Sequence, residues 1–488
     1  MAVSRVFERE VTYEVDVEWA LPVLDPVVRS GGRLERETLQ LDATYYDTVD
    51  STLRRLGLTL RRRTGGSEPP WQLKIPVSDG RSEVHSNAAG MRVPQSLRRR
   101  VDGVVGDEPV EPVATIDTTR HVTRVLDANG VLVAEIADDQ VVGQALVSSH
   151  EDAADPHTAE PLRWREVEVE LGPAGDSADL AAFGALLESA GARTAGEQRK
   201  INHVLGTVTS PVDGLDGIED NRIARVIAAY ATDQVEAILL GDIRLRDELT
   251  PESVHQTRVA IRRLRSTLRT LPGAFTVDRD EAGTLDEDLS WLGDLLSPVR
   301  DSDVLGPRLE QALDTLDAAD IVGPVREEVR RALAADRAAA ISRWRDAHDD
   351  PRYRKIMDLL RSYFTEPPVD PDARVHPRKA LKKARRAVTR RLAEAAVPDD
   401  LHRARKAAKR LRYLGDLLVD ELPSADRAAT KAKHVQTTLG DHQDLVVTAE
   451  FVRRLGSGRG LVPVHSGYTY GVLVGHLERD AAAIEPRL

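Results

Sequence analysis

The chain contains no cysteine and few aromatic residues, and both absences exclude classes of protein. Among 488 residues there are 0 Cys, 5 Trp, 9 Tyr and 5 Phe, so aromatic residues make up 4% of the chain. Without cysteine there are no disulfides, iron–sulfur clusters or thiolate-ligated zinc sites, and any metal must be held by oxygen or imidazole. The scarcity of rings argues against a surface that stacks nucleic-acid bases.

The sequence also lacks a long apolar run. No stretch reaches the roughly 18 consecutive apolar residues that a membrane-spanning helix requires, and the first twenty residues carry charges throughout. The formal net charge of −12 argues against a protein built for bulk nucleic acid. These features predict a cytoplasmic protein that makes no contact with a membrane. The hydrophobic fraction of 41% is sufficient for ordinary folded cores.

The character of the sequence changes near residue 206. Before it, short segments alternate apolar and polar residues between glycine-containing turns, which is typical of strands. After residue 222 the chain is rich in Ala, Leu and Arg at helical spacing. We therefore predict an α+β protein with two domains. The predicted parts are an N-terminal domain over residues 3–205, a linker over 206–219, and an all-α domain over 220–485 with repeats at about 220–366 and 378–485.

Two strands of the N-terminal domain place carboxylates on one face. FEREVTYEVD puts Glu8 and Glu10 opposite its apolar face, and WREVEVEL does the same with Glu166 and Glu168. One interpretation is an antiparallel sheet whose solvated face carries paired Glu and Arg. The other is a closed barrel with a polar interior, where carboxylates hold a divalent cation and Arg and Lys bind phosphates. Neighbouring carboxylates repel one another without a cation, which favours the barrel.

The order of motifs in this domain resembles the CYTH domain of the triphosphate tunnel metalloenzymes. FEREVTYEVD resembles the opening ExExK strand, and YYDT, LRRR, QLK, RSE, EVEVEL and RK follow in the family's order. The resemblance implies an eight-stranded closed antiparallel β-barrel whose tunnel binds a triphosphate substrate with Mg²⁺ or Mn²⁺. The implied metal ligands are Glu8, Glu10, Asp138, Glu166 and Glu168, with Glu8 and Glu10 also catalytic. The implied triphosphate ligands are Arg61, Arg63, Lys74, Arg120, Arg124 and Lys200.

The chain departs from the ExExK pattern at Thr12, where the family has lysine. A lysine would bring positive charge to the scissile phosphate, whereas threonine supplies only a hydroxyl. Binding of metal and phosphates can therefore persist while turnover falls, and we leave enzymatic activity open. Hydrolysis would be a metal-assisted attack of water on the terminal phosphoryl group. The family also contains class IV adenylate cyclases, but the sequence indicates no adenine pocket.

An internal repeat is visible in the helical domain. HQTRVAIRRLR begins at His255 and HRARKAAKRLR at His402, and each is followed by a second repeated segment, which contains Asp301 or Asp444. Each copy is predicted to form a four-helix bundle, and we expect the two aspartates to orient arginines. At about 100° per residue, the repeated cations form one stripe on each helix. The stripes comprise His255, Arg258, Arg262 and Arg265, then His402, Arg405, Lys409 and Arg412, with Arg263, Lys406 and Arg410 beside them and Lys379, Lys382, Lys383 and Arg386 on a preceding helix.

The second stripe lies in a strongly basic segment. Residues 374–412 contain fifteen basic and three acidic residues, a local charge of +12, so the remainder of the chain carries −24. Solvated helix faces usually mix charges of both signs, whereas these stripes contain no acid, and this favours a polyanionic partner. A flexible chain such as inorganic polyphosphate requires only closely spaced cations. Duplex DNA would require a recognition element and RNA would require aromatic rings for its bases, and the sequence shows neither.

The repeated H-x-x-R-x-x-x-[RK]-R pattern resembles the CHAD domain over about residues 220–485. The resemblance implies two four-helix bundles related by pseudo-twofold symmetry, with a basic surface that binds polyphosphate. It also implies that the protein, which we expect in the cytoplasm, can associate with polyphosphate granules. We therefore predict a polyphosphate-binding protein whose barrel binds a triphosphate and a divalent metal and can hydrolyse the triphosphate. The alternatives are an active inorganic or nucleoside triphosphatase with the helical domain for targeting, an adenylate cyclase, and a nucleic-acid-associated structural protein.

Overall fold

The structure is a computed structural model, and the chain divides into two compact units. One unit spans Met1–Thr209 and the other Ser210–Leu488, so the boundary falls inside the predicted linker. We describe each unit by itself. The described residues are 10–77, 80–146, 160–195, 200–215, 217–395, 398–457 and 466–484.

The first unit is built around one antiparallel sheet of nine strands in the described residues. The strands, in chain order, are β1 Glu10–Val15, β2 Arg33–Asp47, β3 Thr59–Thr64, β4 Trp71–Val77, β5 Gly80–Ser86, β6 Glu111–Leu126, β7 Leu132–Ala145, β8 Leu162–Leu171 and β9 Arg193–Thr194. The helices are α1 Thr52–Arg55, α2 Gln95–Val105, α3 Ser177–Ser189 and α4 Lys200–Leu205. The sheet order is β5-β4-β3-β2-β6-β7-β8-β1-β9.

In the residues that the structure describes, the sheet is curled but not closed, and the predicted closed eight-stranded barrel is wrong. Its two ends, β5 and β9, do not pair with each other in the described residues. One edge of β1 pairs with β8, and β9 takes the other edge through Tyr13 and Glu14. Among the described strands, β5 stands at the opposite end of the sheet from β9. The curl still brings Arg81 of β5 within 3.4 Å of Glu10 of β1.

The two faces of the sheet differ in chemistry, as strand alternation predicts. Val167 and Val169 of β8 are fully buried and pack in one core with Phe183 of α3. The glutamates that alternate with these valines, Glu166, Glu168 and Glu170, face the concave side. On that side Ile201 of α4 packs against Ala43 and other apolar residues of the sheet, which places α4 over part of the concave surface.

The second unit is helical in the described residues, in agreement with the predicted all-α half. Its helices are α5 Arg222–Asp247, α6 Pro251–Thr270, α7 Arg279–Asp314, α8 Val325–Ala347, α9 Pro351–Thr365, α10 Pro377–Ala393, α11 Pro398–Leu417, α12 Pro423–Ser457 and α13 Ser466–Ile484. The helix α6 carries the first basic stripe, and α11 carries the second. These two helices pack against each other, so the stripes of the two repeats meet.

The repeats are not two separate four-helix bundles. The helices α7 and α12 are 36 and 35 residues long, and their C-terminal halves share one apolar core with α8 and α13. That core joins Leu309 and Val329 of the first repeat to Val452 and Leu473 of the second. Four helices therefore do pack together, but two come from each repeat. The sequence repeat predicts the helices correctly but not their grouping, because helices of this length reach beyond their own repeat.

Candidate functional site

The concave side of the curled sheet encloses a cavity of about 1370 Å³ whose lining is rich in charged side chains. Every strand from β1 to β8 contributes to this lining, together with α4 and adjoining loops. The charged lining residues are Glu10, Arg61, Arg63, Glu68, Lys74, Arg81, Glu83, Arg120, Arg124, Glu135, Glu166, Glu168, Glu170 and Lys200. Charges of both signs are interleaved, so the cavity is suited to a charged ligand rather than an apolar one.

Three carboxylates at one wall of the cavity form the acid cluster. Asp139 of β7 lies directly opposite Glu166 of β8, and Glu168 follows two residues later on the same face. One oxygen from each carboxylate lies within 4.8 Å of the others, and Asp139 is fully buried. Carboxylate oxygens are the ligands that Mg²⁺ and Mn²⁺ prefer. The acid cluster therefore fits a divalent cation.

Two cations contact the acid cluster directly. Lys200 Nζ lies 3.0 Å from Asp139 Oδ2 and 2.6 Å from Glu168 Oε1, and it also contacts Glu166. Arg120 donates two hydrogen bonds to Asp139, at 2.8 and 2.7 Å, and one to Glu168 at 2.5 Å. Burial alone would raise the pKa of Glu168, but Lys200 and Arg120 hold that pKa well below its ordinary value. Each carboxylate of the cluster is thus paired with at least one cation.

Asp138, the predicted metal ligand, lies on the opposite face of β7 from the acid cluster. Its carboxylate accepts two hydrogen bonds from Arg165, at 2.8 and 2.7 Å. Asp139 takes the place that the prediction assigned to Asp138. The pairing of β7 with β8 decides this, because it sets Asp139 opposite Glu166, on the same face of β7 as the cavity-lining Glu135.

The predicted carboxylates of β1 are only partly brought to this cluster. Glu8 lies outside the described residues. Glu10 lines the cavity but pairs with Arg81, and in the strand register it lies opposite Glu170. Thr12 lies directly opposite Glu168 in the register and also lines the cavity. The position at which the family has lysine therefore borders the acid cluster.

The six predicted triphosphate ligands all line the cavity, but in different surroundings. Arg61 donates a hydrogen bond to Gln72 at 2.8 Å, and Arg63 pairs with Glu68. Lys74 forms an ion pair with a glutamate of β5, which the sequence did not single out as a site residue. Arg124 contacts two glutamates, one of them on β2, and is about one-third exposed.

That glutamate of β5 is Glu83, and it is buried between two basic side chains. It contacts Lys74 on one side, and on the other its carboxylate accepts a hydrogen bond from His85 Nε2 at 2.9 Å. Burial alone would raise the pKa of Glu83, but Lys74 and His85 lower it to about 2. Cations and carboxylates are therefore paired on this wall of the cavity too.

The helical unit contains the opposite arrangement, a set of four cations that we call the inter-repeat cluster. Arg258 and Arg262 of α6 lie near Arg405 and Lys409 of α11. None of the four forms a carboxylate ion pair in the described part of the chain, although Asp444 lies close enough to raise the pKa of Arg405 and Lys409 against the effect of burial. Burial, and after it repulsion from the three arginines, lowers the pKa of Lys409 to about 7. The Arg405 Nε is buried without a hydrogen-bond partner.

The two repeated histidines belong to the same basic surroundings. Burial lowers the pKa of His255, with Arg300 as the next largest cause, and burial also lowers the pKa of His402. Burial raises the pKa of Asp301, and the nearby carboxylate of Asp444 also raises it. The sequence prediction did not single out Arg300, which lies directly before Asp301 in the repeated segment.

The remaining basic residues of the stripes are neutralised or exposed. Arg265 pairs with Asp286 at 3.0 Å, and Arg412 lies 3.9 Å from Asp416. Asp444 accepts a hydrogen bond from Arg308 at 2.8 Å, so it orients an arginine outside the predicted stripes.

Other predicted cations lie beside the inter-repeat cluster or away from it. Arg263 is near Asp416 and lies over the Tyr413 ring, 5.9 Å from its centroid. Lys406 is exposed, and burial lowers the pKa of Arg410. The predicted cations of α10 lie on the exposed face of a helix that packs on α11. They are Lys379, Lys382, Lys383 and Arg386.

Comparison with known proteins identifies both units. Residues 28–201 match the CYTH domain family and residues 229–453 match the CHAD domain family. An uncharacterized protein of Mycobacterium tuberculosis, Rv2226, is 34% identical over 486 residues, which cover 96% of this chain and 92% of that protein. The chain therefore belongs to the family of proteins that carry a CYTH domain followed by a CHAD domain.

Two solved structures resemble parts of the chain. PptA from Streptomyces chartreusis is 19% identical with a TM-score of 0.46, and the match covers 54% of this chain and 95% of that chain. The CHAD domain from the plant Ricinus communis is 26% identical with a TM-score of 0.44, over 54% of this chain and 87% of that chain. Within the described residues no helix combines the length and apolar character that crossing a membrane would need.

Proposed function

We propose that the chain binds inorganic polyphosphate through the inter-repeat cluster and binds a triphosphate with a divalent cation in the cavity of the sheet. The observation that carries the first part is the juxtaposition of Arg258, Arg262, Arg405 and Lys409 without carboxylate ion pairs among the described residues. Partly buried charges of one sign repel one another, and a bound polyanion would remove that repulsion.

The surroundings of the inter-repeat cluster favour a phosphate chain over nucleic acid. Tyr413 is the single aromatic residue in the sequences of α6 and α11, and it is buried. Bases would therefore have no exposed ring to stack on along these helices. Cations from two helices can instead contact successive phosphates of a chain that has no bases.

The binding proposal is tested by removing one cation from each repeat. The double variant Arg262→Ala, Arg405→Ala should bind long polyphosphate about 100-fold more weakly, since each charge-assisted contact contributes about 1.5 kcal/mol or more. The matched control is Arg343→Ala, Arg345→Ala, which removes two exposed arginines of α8 and should change affinity less than threefold. Isothermal titration calorimetry measures both. Equal losses in the two variants would contradict the proposal.

Competition with duplex DNA tests the choice of polyanion. Polyphosphate should remain bound when duplex DNA is added at equal charge concentration, because DNA offers bases and grooves that the cluster does not recognise. Displacement by DNA at that concentration would instead support the nucleic-acid-associated alternative.

In the cavity, the chain's own residues supply a phosphate-binding wall and an acid cluster. Arg61, Arg63 and Lys74 of β3 and β4 would contact phosphate oxygens, and Arg120 would contact them from β6. Asp139, Glu166 and Glu168 would hold Mg²⁺ or Mn²⁺. A bound cation would neutralise phosphate charge and polarise a phosphoryl oxygen.

A second candidate function is hydrolysis of the bound triphosphate. It is favoured by the complete acid cluster beside the basic wall, and weakened by Thr12 at the position next to Glu168. The test is phosphate release from tripolyphosphate, long polyphosphate, ATP and thiamine triphosphate, with and without Mg²⁺ or Mn²⁺. Turnover at about 1 s⁻¹ or faster would make the chain an enzyme, and our emphasis on binding would be wrong.

A further inference from the structure

Lys200 occupies the position in the cavity that a metal ion would need. Its Nζ lies 3.0 Å from Asp139 and 2.6 Å from Glu168, and it contacts Glu166 as well. These are the same three carboxylates whose oxygens converge within 4.8 Å. One ammonium group therefore contacts every member of the acid cluster.

The attachment of Lys200 allows this ammonium to move while its backbone stays in place. Lys200 is the first residue of α4, and the next residue, Ile201, is buried against Ala43 and Ile116 of the sheet. The helix is thus anchored, whereas the lysine side chain has a flexible four-carbon stem and a single charged end. Arg120 differs, because its planar group forms two hydrogen bonds with Asp139.

Charge repulsion prevents Lys200 and a divalent cation from sharing the acid cluster. Three carboxylates already face two cationic side chains, Lys200 and Arg120. A divalent ion added to them would give four positive charges against three negative ones. The ammonium and the ion would also compete for the same oxygens, at separations where like charges repel strongly.

We propose that Lys200 is an exchangeable counter-ion: its ammonium neutralises the acid cluster in the free protein and moves to a phosphate oxygen when a divalent cation enters. This inference rests on the proposed triphosphate site. It implies that a divalent cation alone binds weakly, since it must displace Lys200 from three carboxylates that the ammonium contacts at once. Triphosphate supplies a new partner for the ammonium, so the cation and the triphosphate strengthen each other's binding.

The test is the affinity for Mn²⁺ alone, measured on the full chain by electron paramagnetic resonance of free Mn²⁺. Lys200→Met keeps the length of the side chain and removes its charge, and it should bind Mn²⁺ at least tenfold more tightly than the unmodified protein. Lys200→Arg should not gain affinity. The matched control Arg36→Met removes an exposed cation of β2 and should leave Mn²⁺ affinity within twofold. Unchanged or weaker binding by Lys200→Met would overturn the proposal.

Two further measurements address folding and coupling. Mn²⁺ should raise the melting temperature of Lys200→Met more than that of the unmodified protein, because tighter binding stabilises the folded state more. In the unmodified protein, tripolyphosphate should tighten Mn²⁺ binding about tenfold, and Lys200→Met should lose most of this coupling. If the unmodified protein binds Mn²⁺ equally well with and without tripolyphosphate, the exchange does not occur, even where Lys200→Met is too unstable to study. None of these results depends on polyphosphate binding by the helical unit, so that proposal can fail separately.

Discussion

The cavity of the sheet and the inter-repeat cluster both contain partly buried lysine and arginine side chains, but the pKa of lysine is raised in the first and lowered in the second. In the cavity, Lys200 lies among carboxylates, which raise its pKa well above the ordinary value although burial would lower it. In the helical unit, burial and then the neighbouring arginines lower the pKa of Lys409 to about 7. Acidic neighbours favour the charged form of a buried lysine, whereas cationic neighbours disfavour it.

The proposed binding sites therefore imply two different modes of binding. A ligand of the cavity would have to exchange with existing ion pairs, so its binding would be coupled to side-chain movement. A ligand of the inter-repeat cluster would instead relieve repulsion between cations that is present in the free protein. The predictions below test this difference, in order of decreasing expected effect.

The largest effect is expected when a carboxylate is removed from the acid cluster. Glu168→Gln leaves Lys200 and Arg120 without one of their shared partners and should lower the free energy of unfolding by about 3 kcal/mol. Urea unfolding of the first unit measures it. The control Glu35→Gln removes an exposed carboxylate of β2 that pairs with Arg33. It should lower the free energy of unfolding by less than about 0.5 kcal/mol, as expected for a surface ion pair. Equal costs would mean that the cavity's ion pairs do not stabilise the fold.

The next effect is the pH dependence of polyphosphate binding. Because Lys409 has a pKa of about 7 in the free protein, it is mostly neutral above that pH, and a bound anion should restore its proton. Affinity should therefore fall by up to about tenfold for each pH unit above 7, with uptake of a proton on binding. Calorimetry in buffers of different ionisation enthalpy measures the uptake. Lys409→Met should abolish it; persistence of the same uptake in this variant would assign it to another group.

Stability should depend on pH through the same lysine. The pKa of Lys409 is lowered by folding, so between about 7 and the ordinary value of 10.5 the unfolded chain binds a proton that the folded chain does not. The free energy of unfolding contributed by this group should therefore rise with pH in that window. Chemical unfolding at pH 7 and 9 measures the rise. Lys409→Met should flatten it, and a rise of the same size in the variant would contradict the role of this lysine.

The smallest expected effect is a gain of turnover at the altered ExExK position. Thr12→Lys places a second ammonium opposite Glu168 and should raise metal-dependent phosphate release from tripolyphosphate by about fivefold, as added positive charge stabilises the transition state. The control Thr38→Lys adds the same charge at an exposed site on β2 and should have no effect. If both variants behave like the unmodified protein, Thr12 is not what limits turnover.

The strand pattern predicted most of the cavity, but not how its members are paired. The alternation of WREVEVEL placed Glu166 and Glu168 on one face, and the structure has them there. It could not show that Asp139 rather than Asp138 joins them, because that depends on the pairing of β7 with β8. The pairing of β9 with β1 could not be predicted either, since a strand of two residues is too short to show alternation.

In the helical unit, the repeat predicted which cations lie on one face of each helix, and the packing of α6 on α11 brought two of those faces together. The grouping of the helices was predicted less well. The C-terminal halves of α7 and α12 each carry an apolar stripe of the kind found on any bundle helix. Such a stripe shows that a helix packs against others, but it does not show whether those helices come from the same repeat.

The sequence by itself determined the two-unit organisation, the alternating carboxylates and the repeated basic stripes, because each follows from local periodicity and from residue chemistry. Tertiary structure alone decided that the sheet stays open over the described residues, that Asp139 completes the acid cluster and that Lys409 is desolvated. These outcomes depend on contacts between residues distant in the chain. Such contacts change the energy of a charge through burial and neighbours, and neither can be read from spacing along one segment.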